Sequence, residues 1–156
     1  MQKIPVIVAG AVLASSLVAG CGGGTSAYCD TVKADARTLT NFTSPDVQPD
    51  FAKIPDFLAD AEVLQAKAPQ EVKQDWSVIT STLQSLSDGL KDAGMTYEQF
   101  ATFLSTGKLP DDVTQAKTAG LALKYQQLGA DIVTKAANDI TKHAADACKV
   151  DLTKQP

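Results

Sequence analysis

Residues that do chemistry are scarce in this sequence. It holds one histidine, His143, one tryptophan, Trp76, and three cysteines among its 156 residues. A single imidazole leaves a Ser-His-Asp triad only if His143 is the base, and no serine or cysteine is placed by motif to partner it. With Asp139 and Asp146 on the same helical face, His143 makes at most a weak metal site, because no second ligand cluster backs it. Neither GxGxxG nor a P-loop occurs, and there is no internal repeat. Basic residues are few as well: Lys and Arg total 14 against 18 Asp and Glu, a net charge of −4. Lys3 is the only charge in the leader segment, so the rest of the chain is one unit more negative. No basic cluster interrupts that balance, which excludes phosphate-backbone binding and electrostatic docking on anionic lipid.

What is present reads as one folded domain behind a targeting segment. Charged residues make up 21% and apolar residues 44% of the chain, a globular composition. After Lys3 comes IPVIVAGAVLASSLVAG, an apolar run ending in small residues. That order fits a secretory signal over residues 1–20. A membrane-spanning helix is the rival reading, but spanning takes about 20 apolar residues, and Pro5, Gly10, Ser15 and Ser16 dilute the run.

Val18-Ala19-Gly20-Cys21 is similar to the lipobox of bacterial lipoproteins, with Leu17 just upstream and Val where Leu is more usual. The resemblance implies a diacylglyceryl group on the Cys21 sulfur and cleavage after Gly20. It places the chain at the extracytoplasmic face of the cell membrane. Two acyl chains anchor stably without a basic patch, and none is present. With Cys21 taken by lipid, Cys29 and Cys148 remain. In an exported, oxidising setting such a pair forms a disulfide, the alternative being two free thiols. Residues 21–27 have a linker's composition in Gly22 to Ser26. They hold the domain within roughly 25–30 Å of the bilayer at full stretch.

The pattern from residue 28 to about 150 is helical almost throughout. A first helix runs from about Ala27 to Phe42, with Tyr28, Val32, Ala36, Leu39 and Phe42 on one stripe, and TSPDVQPD breaks it. A second carries Phe51, Ile54, Leu58, Ala61, Leu64 and Ala68, its start blurred by Pro55. A third follows Pro69 with the seam Val72, Trp76, Ile79, Leu83, Leu86 and Leu90 and stops at Gly94. Thr96 to Gln99 fits a capping box for a short extra helix. Pro110-Asp111-Asp112 opens a long final helix to about Lys149, bending or breaking near Gly120 or Gly129. Its stripe includes Val113, Ala116, Gly120, Leu123, Gln127, Ala130, Val133 and Ile140. Residues 151–156 form a loose tail. Together these predict an all-α fold, an up-down-up-down four-helix bundle with a short extra helix between the third and last long ones. In such a bundle Cys29 and Cys148 fall at the same end.

Glu71, Asp75, Asp111 and Asp112 occupy first turns and read as dipole complements, not as an acid/base pair. No metal and no cofactor is expected. The most suggestive segment is YEQFATFLSTGKLP, where Tyr97, Phe100, Phe103 and Leu104 form either a lid over the bundle end or an exposed apolar patch for a partner or lipid. The stretches YCDTVKAD, APQEVKQDW and AACKV resemble small helical-bundle lipoproteins of actinobacteria. That resemblance spans the chain and implies a location and a bundle; it supplies no catalytic residue. The expected role is therefore binding, of a partner protein or of a small or lipidic ligand carried in the bundle interior. A structural spacer and an enzyme built on His143 are the competing classes.

Overall fold

The computed structural model describes residues 23–43 and 49–154. The predicted signal segment and Cys21 lie outside the described residues, as does 44–48, most of the predicted break after the first helix. Every regular element among the described residues is helical, and none is long and apolar enough to cross a membrane.

Helix α1 (Gly23–Ala34) and helix α2 (Ala36–Thr43) meet at Asp35. The bonding ladder runs through the junction, with Asp35 N–H donating to Thr31 O at 2.9 Å and Leu39 N–H to Asp35 O at 3.0 Å. The predicted stripe faces inward: Tyr28, Val32 and Leu39 are buried, Ala36 and Phe42 half-buried. The start differs from expectation. Gly23 to Ala27, read as linker, lie in α1, so the domain begins close behind Cys21.

Phe51–Lys53 forms a 3₁₀ turn capped by the Asp50 carboxylate, which accepts from Ala52 N–H at 3.1 Å. Helix α3 (Ile54–Lys67) follows with Pro55 in its first turn, where its missing N–H costs nothing. Helix α4 (Gln70–Ala93) is the axis of the fold and packs against α3 and against two later helices. All six seam residues from Val72 to Leu90 are buried. Gly94, at φ 70°, closes α4 in the left-handed conformation, and Met95 N–H reaches back to Leu90 O at 2.9 Å.

Helix α5 (Tyr97–Thr106) begins at the predicted capping box. Gln99 N–H donates to Thr96 Oγ1 at 3.2 Å, and Thr96 N–H donates to Gln99 Oε1 at 2.8 Å.

The predicted final helix is two helices and a turn. Pro110 to Val113 makes one turn that buries Val113, and Thr114 is extended at φ −89°, ψ 150°. Helix α6 (Gln115–Gln127) starts afresh after it, with a new rotational phase. Leu121 therefore points inward, while Ala116, Gly120, Leu123 and Gln127, assigned to the buried stripe, are exposed. The chain breaks at Gly129, as the sequence allows, and not at Gly120, which lies inside α6. Helix α7 (Asp131–His143) then buries Val133, Ala136 and Ile140 against α4. A π turn over Ala144–Cys148 sets Cys148 beside α1, where it is disulfide-bonded to Cys29 with Cα atoms 4.9 Å apart. The tail is not loose through residue 154. Leu152 is fully buried and its carbonyl accepts from Thr43 Oγ1 at 2.8 Å.

Candidate ligand cavity

The helices leave a cavity of about 350 Å³, bounded chiefly by α2, α4 and α7. Its size falls at the lower end of ligand sites, roughly 300–1,000 Å³, and well above the ~150 Å³ dry void that admits benzene. Trp76, Ile79 and Leu83 of α4 form one wall, Val133, Ala137 and Ile140 of α7 another. Leu39 and Phe42 of α2, with Ile54 and Phe57 of α3, complete the floor. Phe42 stacks flat on Phe57, ring centroids 4.4 Å apart and planes 10° from parallel, which stiffens that side. Thr82, Thr134, Asn138 and Thr141 stand among the half-buried and exposed lining residues of the rim. Among the described residues that line the cavity, none carries a charge.

Two local features hold the Trp76 wall in place. Trp76 Nε1 donates a hydrogen bond to Tyr28 Oη at 3.0 Å inside the core. This ties α4 to α1 and satisfies a donor that would otherwise be buried unpaired. Burial pushes the Tyr28 phenol above its ordinary 10.0, the hydrogen bond from Trp76 pulling it partly back. Edge-on to Tyr28, at 5.5 Å between centroids, sits His143.

His143 is half-buried, and its Nδ1 has no hydrogen-bond partner. The two aspartates expected beside it are engaged along the helix instead. Asp139 pairs with Lys135, and Asp146 accepts from Lys142 Nζ at 2.9 Å. Those bonds and charges raise both lysines and lower Asp146. No group of metal-ligating side chains is gathered among the described residues. Asp75 on α4 is raised by partial burial first and by the Asp139 charge second, with Lys135 opposing. A shallower, open depression lies between α1 and α3, where Lys67 Nζ donates to Thr31 Oγ1 at 2.8 Å. There Asp35 is raised by burial and then by the Asp60 charge.

The segment singled out for a partner surface divides. Phe100 is buried, with its ring edge-on to Phe51 at 5.9 Å and to Tyr125 at 5.5 Å. Tyr97, Phe103 and Leu104 are half-buried and pack on the same core. These contacts pack α5 on the Phe51–Lys53 turn and on Tyr125 of α6. Phe100 itself is not available to a partner. Among the described residues, the exposed large apolar side chains are Val63, Leu123 and Ile132, scattered on three helices. Cys29 and Cys148 are brought together; Cys21 lies outside the described residues.

The sequence offers Trp76, Leu123 or Phe100 as lining for an interior cavity. Trp76 lines it, but Leu123 is exposed and Phe100 packs against Phe51 and Tyr125, and the polar rim is not anticipated. Thr134, Asn138 and Thr141 recur at helical spacing one residue after Val133, Ala137 and Ile140. That doubled stripe is the signal available in the sequence.

Comparison with protein-family models, curated proteins and solved structures finds no match for this chain.

Proposed function

We propose that this chain is a lipid-anchored module at the extracytoplasmic face of the cell membrane, and that it binds a small apolar or lipidic ligand in the cavity between α2, α4 and α7. The observation that carries the binding half is the cavity itself: about 350 Å³, floored by aliphatic and aromatic side chains and free of charged lining. A well-packed core leaves few voids larger than a water molecule. Supporting the anchor are the Val18-Ala19-Gly20-Cys21 sequence and the apolar leader before it. The scaffold is read as an up-down-up-down bundle of four passes, α1 with α2, α3, α4, and α6 with α7. The short connection at Ala68 and Pro69 supports that order. A protein partner seated on Tyr97, Phe100, Phe103 and Leu104 is the weaker form of a binding role, because Phe100 is buried.

Native mass spectrometry of the protein released from membranes in mild detergent tests the cavity. A bound small molecule, lost on unfolding and absent from Ala137→Phe, is the expected result. Ala137 lines the cavity and is half-buried, so a phenyl ring there occupies the space with little disturbance of the core. Identical spectra of bare protein from both forms contradict the reading. The anchor is tested separately by metabolic labelling with an alkynyl fatty acid. Cys21→Ala is expected to lose both label and membrane fractionation; retained label refutes lipidation at Cys21.

A further inference from the structure

The chemistry of the rim narrows the ligand class, on the assumption that the cavity is a binding site. Helix α7 presents two parallel rows to it. Val133, Ala137 and Ile140 face the floor, and Thr134, Asn138 and Thr141 stand at its edge. Several helical threonines of this protein, the rim residue Thr82 among them, spend their hydroxyl on their own helix, whereas the buried Thr40 Oγ1 has no partner. Thr80 donates to Trp76 O at 3.0 Å, Thr82 to Val78 O at 2.8 Å, and Thr102 to Glu98 O at 2.8 Å. The side chains of Thr134, Asn138 and Thr141 make no hydrogen bond to another described residue. Their donors and acceptors remain available at the mouth of an apolar space.

Charge is absent from the same place. The two lysines of α7 are committed along the helix to Asp139 and Asp146. No cation lines the mouth to pair with an anionic head, whereas the hydroxyl and amide groups there can both donate to and accept from an uncharged one. We propose that the ligand is a single-chain amphiphile with an uncharged, hydrogen-bonding head. Its chain lies between Trp76, Leu83 and Ile140, and its head lies against Thr134, Asn138 and Thr141.

The test uses the lipoprotein in its own membranes and two photoreactive probes of equal chain length. One is a monoacylglycerol carrying a diazirine in a decanoyl chain; the other is the corresponding free acid at neutral pH. Cross-linked peptides are mapped by mass spectrometry. The expected result is labelling within 76–83 or 131–143, with the glycerol ester about tenfold above the acid, the worth of one to two net hydrogen bonds. In the triple variant Thr134→Val, Asn138→Ala, Thr141→Val, helicity is checked by circular dichroism, and the preference should fall to about parity while labelling persists. Equal labelling by both probes in the unaltered protein, or preference for the acid, overturns the head-group assignment and leaves the cavity reading standing. No labelling of either segment by either probe overturns both.

Discussion

Tyr28 and Trp76 show what one buried hydrogen bond does at the scale of a residue. The indole N–H has a single partner, a phenol oxygen from a helix 48 residues away in sequence. Tyr28→Phe keeps the ring and its packing but strands that donor in the core. An unpaired buried donor costs about 1–3 kcal/mol, so the denaturation midpoint of Tyr28→Phe should fall by that equivalent; an unchanged midpoint means that the bond contributes nothing net. The same hydroxyl sets a pH dependence. Burial raises its ionisation in the folded state above 10.0, so the folded protein holds this proton more tightly than the unfolded chain does. The contribution is fully present below pH 10 and is lost as pH rises through the raised folded value. Urea titrations from pH 8 upward should show a decline above about 10 that is shallower in Tyr28→Phe; identical slopes in the two proteins would contradict the assignment.

At the scale of an element, α4 and α6 make opposite lessons. The α4 seam was legible because its four-and-three spacing is long, regular and bracketed by Pro69 and Gly94. In α6 the same reasoning slipped by carrying the phase of Val113 across Thr114. A helix inherits its register from the residue before only while the backbone stays helical, and Thr114 does not. Leu121 and Leu123 measure the difference: the first is 3% exposed, the second 66%. Leu121→Ala should destabilise by about 2–5 kcal/mol, and Leu123→Ala by no more than about 0.5 kcal/mol, both read from thermal or urea unfolding. Comparable losses at the two positions would restore the original stripe. The cavity escaped the sequence for a related reason. Periodicity tells which face is buried, not whether opposing faces fill the space between them. The α7 rim was visible as polar residues but had no meaning until α4 stood opposite.

At the scale of the molecule, one covalent tie joins the two ends of the folded chain. Cys29 and Cys148 are 119 residues apart, and the bridge locks α1 to the turn after α7. Counting cysteines pointed to this pair once Cys21 was set aside for the proposed lipid. On the chain-entropy model, opening so long a loop costs about 4–5 kcal/mol. Cys29→Ser with Cys148→Ser, or reductant alone, should lower stability by that order, and a loss below about 1 kcal/mol would show the bridge to be incidental. The tie also stiffens the end nearest Cys21. With α1 beginning at Gly23, a lipid on Cys21 leaves almost no leash, so the proposed anchor holds the bundle itself against the bilayer. Short reach suits a protein that exchanges an amphiphile with the membrane surface. The binding site is the central claim. Its most direct measurement is intermolecular NOEs between the decanoyl chain of 1-monodecanoylglycerol and the methyl groups of the folded protein. The account predicts contacts to Leu83, Val133 and Ile140; contacts confined to exposed Leu123 and Ile132, or none at all, would contradict it.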